Sequence, residues 1–437
     1  MVAGTGLSLV ILIIAIAIYV VLTYRGTSPI VSALIATAVL SLFTAGGFAE
    51  NFFTVFPGGI AMMIGGFFMI FTFGFMFGKI MEVTGVADTI GMVLFAKMGE
   101  KIVIYVLMAV TMLFAMSGPP HFALMPPIAF ALMRSAKLPR YVGLVAVAGA
   151  GTAATVLPGC LTTANVLPAE ILGTTIYDGA ALGVIACIIQ LILVIIFVNR
   201  VVKKCRAEGA VYDPRDNEPE VRAPEDRPPF AIAIVPIILA VGLAAVFVIG
   251  LGWASMWAMV AATTIGMVYM MLTCRKWTHS NLLVDLKEAS ERVQPIIVSV
   301  CAVCGFATVV ANTAIYQQVI PSIMGWEVHP AVIIVLGEML IVAMCADPIS
   351  GIAAFSSTIG KSLIEQGVNA GMVHRLAELS CYTFDTMPHG GAVTMAMRMF
   401  GYDLKDGYKY MFMVNLVFPF VYSIICMFVA MGMYPNG

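Results

Sequence analysis

The apolar stretch Gly371–Phe400 carries the sequence Met-Pro-His-Gly-Gly at positions 387–391, which favours a break in a helix. Pro388 removes a backbone donor and clashes with the preceding turn, and the two glycines lower the cost of unwinding. A helix broken at membrane depth exposes N–H and C=O groups that lipid cannot satisfy, so protein, water or a ligand must cover them. We therefore expect a discontinuous helix that restarts near Ala392 with free N–H groups suited to an anion.

Composition places this break in a membrane protein. Hydrophobic residues make up 61% of the 437 positions and charged residues only 11%, unlike a soluble domain. Several apolar runs reach the roughly 20 residues that a spanning helix needs. The first run, Leu7–Tyr24, lacks a basic start and a small-residue cleavage site, which predicts a retained helix. The fold class predicted is an all-α polytopic membrane protein.

Charge and cysteine usage exclude several function classes. A net charge of −1 argues against nucleic acid as a partner. The nine cysteines lie mostly in apolar runs, and the pair Cys301 and Cys304 has no second ligand pair nearby, so we predict no metal site. Because no Gly-rich phosphate loop occurs, we predict no nucleotide and no other cofactor.

Basic residues predict the orientation, because short cytoplasmic loops carry the excess of Lys and Arg. Arg25, Arg134, Arg200 and Arg275 are expected on the cytoplasmic side, with both termini outside. The long hydrophilic stretch 209–229 is predicted to be a cytoplasmic linker between a first repeat, 1–208, and a second repeat, 230–437.

The two halves carry matching landmarks. Pro119 and Pro348 lie 229 residues apart, and Pro158 and Pro388 lie 230 apart. Each half is expected to contain three helices, a hairpin, a broken helix and a final helix. The third helix of the second half is expected at Pro295–Ile315, after an amphipathic surface stretch. We interpret each hairpin as re-entrant, although the first could instead be two full helices.

Inverted repeats with discontinuous helices meeting at the midplane are the plan of many secondary transporters. The sequence therefore predicts a transporter in the cell inner membrane, embedded in lipid and carrying a small carboxylate. An antiporter of cations and protons is an alternative, although Thr, Asn, His and Gly at the breaks suit an anion better. An intramembrane enzyme with paired aspartates would not require the repeat, so we predict that the protein is not an enzyme.

Two stretches resemble the gluconate:proton symporter family. Thr155–Thr175 contains a Leu-Pro-Gly break, an Asn nearby and a downstream Leu-Gly-Thr, and Asp385–Val393 contains Met-Pro-His-Gly-Gly-Ala-Val. The resemblance implies the ion-transporter superfamily fold with an elevator movement, usually in a homodimer. It also implies proton-coupled import of hydroxy or sugar acids such as gluconate, hydroxybutyrate or glycerate. The first hairpin tip has Ser-Gly-Pro-Pro-His in place of Phe-Phe-Asp, so a sodium-coupled carrier of citrate or dicarboxylates remains an alternative.

Titratable residues at membrane depth are expensive and mark functional sites. Asp347 lies in the second hairpin tip and Asp385 just before the second break, and burial favours the protonated form of a carboxyl group. We predict that both couple transport to protons or Na⁺. The predicted substrate-binding residues flank the tips and breaks: Ser117, His121, Gly159, Thr162, Thr163, Asn165, Ser350, His389, Gly390 and Gly391.

Overall fold

The structure is a computed structural model that describes residues 4–116, 121–214 and 222–435. Helices are the only regular secondary structure in these three ranges, which confirms the predicted all-α class. The first half comprises α1 Thr5–Tyr24, α2 Pro29–Ser41, α3 Gly47–Glu50, α4 Phe56–Val83, α5 Val86–Met116, α6 His121–Leu124, α7 Pro126–Ser135, α8 Arg140–Thr155, α9 Thr163–Leu172 and α10 Ala180–Glu208.

The second half follows the stretch 209–229. It comprises α11 Phe230–Ala233, α12 Val235–Ala245, α13 Ser255–Thr273, α14 Leu282–Ala311, α15 Ala314–Met324, α16 Pro330–Cys345, α17 Pro348–Phe355, α18 Lys361–Glu365, α19 Ala370–Cys381, α20 Gly391–Met399, α21 Leu404–Phe412 and α22 Phe418–Met433. Four π-helical turns join neighbouring helices at Asn51–Val55, Val246–Gly250, Ser356–Gly360 and Met413–Val417. Short 3₁₀ turns lie at Pro224–Asp226 and Arg275–Trp277.

Several helices are suited to a bilayer. By length and composition, four helices in the described ranges can each cross a membrane: Thr5–Tyr24, Ala180–Glu208, Leu282–Ala311 and Leu404–Met433. The pair Gly47–Gly66 and Phe68–Val83, bent by 48°, adds a fifth span if it is counted as one. The shorter apolar helices, such as Pro330–Cys345, must tilt, pair or end inside the bilayer.

The helices α4 and α14 pack along each other at the centre of the fold. Gly59 and Gly305 lie at their crossing, where a Cβ on Gly59 would lie 2.3 Å from the Thr308 hydroxyl oxygen and 3.0 Å from the Gly305 Cα. Small residues of this kind let helix backbones approach closely in membranes. On either side of this pair, α2 packs against α14 and α13 packs against α4.

Pro295 does not start a helix, so the boundary expected there was wrong. It lies inside α14, which begins after the cap Asn281 and continues to Ala311. Proline removes one intrahelical donor, but a helix continues through it where neighbouring groups satisfy the freed carbonyls. The surface stretch and the crossing helix are therefore one 30-residue element.

The stretch 209–229 is attached to the helices at both of its described ends. Asp213 accepts hydrogen bonds from the Arg140 backbone N–H at 2.7 Å and from the Tyr402 hydroxyl at 2.7 Å. Arg222 donates to the backbone carbonyls of Trp277 and, at 2.5 Å, Val83. The described ends of this stretch therefore bind to helices from both halves of the chain.

Both predicted helix breaks occur. The first separates α8 from α9 across residues 156–162, and the second separates α19 from α20 across residues 382–390. The second hairpin turns through two residues, Ala346 and Asp347, and Ala346 has a φ of +50°. The first hairpin tip, with Ser117 and Pro119, lies outside the described residues.

Candidate functional site

A cavity of about 710 Å³ lies where both helix breaks and the second hairpin tip meet. Of the twelve predicted site residues, six lie on the cavity wall, five do not, and Ser117 lies outside the described residues. Those on the wall are His121, Thr162, Thr163, Asp347, Asp385 and Gly391. Those absent from the described wall are Gly159, Asn165, Ser350, His389 and Gly390.

The two breaks are joined to each other and to the hairpins. The Tyr382 hydroxyl of the second break donates to the Thr162 hydroxyl oxygen of the first at 3.3 Å. The Leu161 N–H donates to the Met116 carbonyl at the end of the first hairpin arm at 2.9 Å. Next to the second break, a Cβ on Gly390 would lie 3.1 Å from the Ala346 carbonyl oxygen of the second tip. The two breaks are therefore connected to each other and to the end of α5, and the second break lies against the second hairpin tip.

Gly159 and Asn165 hold the first break in shape. Gly159 has a φ of +81°, where glycine is favoured, and donates its N–H to the Ile176 carbonyl at 3.0 Å. Asn165 is fully buried and donates its amide to the Cys160 carbonyl at 2.7 Å. Its Oδ1 lies 2.8 Å from His374 Nε2, so its amide group is already occupied by protein partners. These contacts stabilise the turn that presents Thr162 and Thr163 to the cavity.

Asp347 caps the second arm of the second hairpin. Its carboxylate accepts a hydrogen bond from the Ser350 N–H at 2.8 Å and another from the Ser350 hydroxyl. Such a cap satisfies donors at the start of a helix. Ser350 therefore contacts Asp347 rather than the cavity, while the half-buried Asp347 lies on the cavity wall.

Asp385 lies on the opposite break, 7% exposed and near enough to Asp347 for the two carboxyl groups to interact electrostatically. Its Oδ1 is 2.8 Å from the Thr386 hydroxyl oxygen, which is also 2.7 Å from the Asn415 carbonyl. A hydroxyl carries one hydrogen, so it donates to one of these oxygens at a time. If it donates to the carbonyl, the contact with Asp385 requires a proton on the carboxyl group. The geometry therefore accommodates a protonated Asp385.

The two predicted histidines have different surroundings. His121 lines the cavity with its ring against α8, because a Cβ on Gly151 would lie 2.0 Å from His121 Nε2. His389 is fully buried behind the wall, edge-on to Phe306 with ring centroids 6.4 Å apart. The glycine at 151 thus makes room for His121, and His389 packs the second break from behind.

Sequence reasoning missed polar residues that complete the wall, namely Thr152, Tyr382, Thr386 and Asn415. Asn415 lies in the π-helical turn Met413–Val417, and its amide donates to the Thr152 hydroxyl oxygen at 2.7 Å. Its Oδ1 is buried without a hydrogen-bond partner among the described residues. π-Helical turns often occur at functional sites. The sequence signal was the amide side chain of Asn415 inside the apolar run 408–433. It was missed because the search was for titratable groups.

A buried ion pair was missed as well. Arg375 and Glu378 of α19 are both fully buried and bonded to each other. Arg375 also donates to the carbonyls of Asp178 at 3.0 Å and Ile176 at 2.8 Å. The pair therefore ties α19 to the loop after α9, behind the cavity.

The electrostatics of the wall favour a ligand held by neutral donors. Among its described residues, the charged side chains are Glu170, Asp347 and Asp385, and no Lys or Arg is present. Two helix N-termini open on the cavity, at Thr163 and Gly391, and neither has a side-chain cap. Uncapped N–H groups and the helix dipole favour an anion there. In the described ranges, no three His, Cys, Asp or Glu side chains form a metal site.

Comparison with known proteins identifies the family. The description "GntP family permease" applies to a sequence profile that matches residues 7–431. The chain belongs to the GntP permease family. The family confirms the predicted resemblance to gluconate permeases, and with its apolar helices this GntP permease is an integral membrane transporter.

Relatives of this permease are also transporters. It is 23% identical over 455 residues to the "Uncharacterized transporter YxjC" of Bacillus subtilis, covering 94% of this chain and 96% of that protein. It is 30% identical over 217 residues to the "Gnt-II system L-idonate transporter" of Escherichia coli, covering 47% of this chain and 48% of that protein. A solved structure, the YdaH transporter of Alcanivorax borkumensis, aligns with a TM-score of 0.46 at 15% identity over 95% of this chain and 98% of that one.

Proposed function

We propose that this permease is a secondary active transporter, not an enzyme, that imports a small organic anion together with protons. Candidate substrates are hydroxy or sugar acids such as gluconate, L-idonate, hydroxybutyrate and glycerate. The observation that carries the proposal is the cavity of about 710 Å³ at the meeting point of both helix breaks. Its volume lies within the range of small-molecule sites, and its wall joins hydroxyl donors to two uncapped helix N-termini.

The carboxylate of the substrate would bind at the N-termini of α9 and α20. Thr162 and Thr163 supply hydroxyl groups at the first of these ends, and Gly391 allows close backbone approach at the second. The hydroxyl groups of a sugar acid would donate to acceptors on the wall such as Asp347. Helix ends that bind anionic substrate groups recur in transporters with broken helices. Gly159, Asn165, Ser350, His389 and Gly390 act in this proposal by holding the breaks and the tip in place.

Asp347 and Asp385 would couple the anion to cations. The anion adds negative charge to a wall whose charged side chains are acidic, so a proton bound with it removes repulsion. The contact of Asp385 with the Thr386 hydroxyl is compatible with a proton at Asp385 when that hydroxyl donates to the Asn415 carbonyl. His121 lies on the same wall and offers a second group for proton exchange.

The arrangement of helices supports an inverted repeat, with 209–229 as the cytoplasmic connection. α8, a break and α9 have the counterparts α19, a break and α20, and α2 and α13 pack reciprocally on α14 and α4. Two arginines also have reciprocal contacts. Arg140 of the first half donates to the Phe400 carbonyl after α20 at 3.1 Å, as Arg375 of the second donates to the loop after α9. The elevator movement, homodimer and inner-membrane location implied by the family resemblance are part of the same proposal.

Uptake into proteoliposomes tests the function. The purified chain should accumulate labelled gluconate, L-idonate or glycerate when the outside is more acidic, without sodium. Asp385→Asn should abolish gradient-driven accumulation, whereas Asp406→Asn, a matched change at an exposed position of α21, should not. Sodium-driven proton flux without uptake of any labelled acid would show an antiporter instead. Uptake of citrate driven by sodium alone would favour the dicarboxylate alternative.

A further inference from the structure

The second hairpin contains a carboxyl group outside the cavity. Glu338 lies in α16 with a relative exposure of 0%, and neither of its oxygens has a hydrogen-bond partner among the described residues. An ionised carboxylate without a partner is very costly to bury, so such a group neutralises by taking a proton. In this conformation Glu338 is therefore protonated.

Glu338 lies in the seam between the two arms of the hairpin. A Cβ on Gly351 of α17 would lie 3.2 Å from Glu338 Oε1 and 2.3 Å from Val342 Cγ2. The second arm thus packs directly on the face of α16 that carries Glu338, and Gly351 makes the close approach possible. The same arm begins at Asp347 on the cavity wall. Separation of the two arms would therefore move Asp347 on the cavity wall and at the same time admit water to Glu338.

The groups that face Glu338 are not basic. Its electrostatic neighbours are Tyr316 of α15, Cys345 of α16 itself and Cys381 of α19. The segment Pro348–Phe355 has no titratable residue. The helices α14 and α22 also pack on α16, and their buried titratable groups Cys304 and Tyr422 are a thiol and a phenol. A sodium ion would need several oxygen ligands, whereas the neighbours of Glu338 are one phenol, thiols and apolar side chains, so the fitting ligand is a proton.

We propose that Glu338 is a proton-binding site of the second hairpin, separate from the cavity carboxyl groups, that exchanges its proton only when α16 and α17 separate. A protonated Glu338 keeps the arms closed, and an ionised Glu338 requires water and favours open arms. The inference rests on the proposed proton-coupled transport. It would explain why the hairpin closes only after a proton has bound.

Hydrogen exchange of the full chain in detergent tests this site without substrate or gradient. After correction for intrinsic exchange rates, protection of the amides in 330–355 should fall by about tenfold per pH unit over the pH range in which Glu338 is ionised in the open hairpin and protonated in the closed one, because each opening then releases one proton. Glu338→Gln should keep the hairpin protected at high pH. Glu365→Gln, a matched change at an exposed position of α18, beyond the second arm, should behave like the parent.

Either of two results would overturn the proposal. One is that the hairpin protection of the parent protein does not change with pH. This result does not depend on whether any variant folds. The other is a folded Glu338→Gln protein that keeps the parent's pH dependence, which would assign the effect to another group. These outcomes are independent of the uptake assay. In that assay, Glu338→Gln should exchange labelled gluconate across the bilayer yet lose its dependence on the pH gradient, whereas failure of the parent to transport any acid would refute the function alone.

Discussion

Two adjacent glycines of the second break should respond differently to the same substitution. A Cβ on Gly390 would lie 2.2 Å from the Asp385 carbonyl oxygen and 3.1 Å from the carbonyl oxygens of Ala346 and Met387. All three are backbone atoms, which cannot rotate away. A Cβ on Gly391 would lie 2.9 Å from Cys304 Sγ, a side-chain atom. Gly390→Ala should therefore disturb the junction of break and hairpin, and Gly391→Ala should narrow the cavity.

The magnitudes follow from these contacts. Forcing an extra methyl group into a packed site costs roughly 1–3 kcal/mol, and contact with fixed backbone atoms places Gly390→Ala at the upper end. Reduced freedom of the unfolded chain offsets roughly 0.4–1 kcal/mol of that cost. Gly390→Ala should thus lower the free energy of unfolding by about 2–2.6 kcal/mol. For Gly391→Ala the two effects nearly cancel, because the Cys304 side chain can move.

Thermal unfolding in detergent, with and without gluconate, separates the two effects. A ligand that binds only the folded state raises the melting temperature. Gly390→Ala should melt below the parent, whereas Gly391→Ala should melt near it and lose most of the ligand-induced rise. Gly65→Ala is the control, since a Cβ there meets nothing within 4 Å. If Gly390→Ala melted at or above the parent, the contacts of its Cβ with the backbone oxygens would not limit stability. If Gly391→Ala kept the full ligand-induced rise, its Cβ would not affect the binding of gluconate.

Three further substitutions follow from the buried contacts. Arg375→Met should destabilise the fold by about 3–5 kcal/mol, because it leaves Glu378 buried without its partner, and Arg375→Met with Glu378→Gln should recover much of the loss in thermal unfolding. Asn415→Ala should weaken the binding of gluconate in the ligand-shift assay while leaving the melting temperature of the free protein less affected. Asp213→Asn should release the segment from Arg140 and speed trypsin cleavage within 209–229, followed by gel electrophoresis; unchanged cleavage would mean that the segment is held elsewhere.

Much of the helical framework could be predicted because its signals are local. A proline with glycine nearby in an apolar run lowers the cost of a break, and both predicted breaks occur, although the second already begins after Cys381, before Met387. The turn at Asp347 was also predicted from its own residues. Pro295 shows the limit of local reasoning. A proline alone does not decide whether a helix ends, because the surroundings determine whether the freed carbonyl finds a partner.

The cavity could be predicted only in part, since sequence does not show which side of a broken helix faces a ligand. Thr162 and Asn165 have similar polar side chains three positions apart, yet one lines the cavity and the other bonds to Cys160 and His374. The amide group of Asn165 is already hydrogen-bonded, because His374 of α19 and the Cys160 carbonyl in the break lie within reach. Contacts between distant segments, which no local pattern reports, made that difference.

The same reasoning explains why sequence analysis did not find the buried Arg375. A buried arginine is expensive alone, but Glu378 lies one turn away, and the loop after α9 brings the Asp178 and Ile176 carbonyls within reach. Its cost depends on a loop from the other half of the chain. Glu338 is the opposite case, with no such partners among the described residues. Two acids in the same membrane protein thus have different roles set by their neighbours: Glu378 is paired with Arg375, which bonds to the other half, and Glu338 is left free to exchange a proton when its hairpin opens.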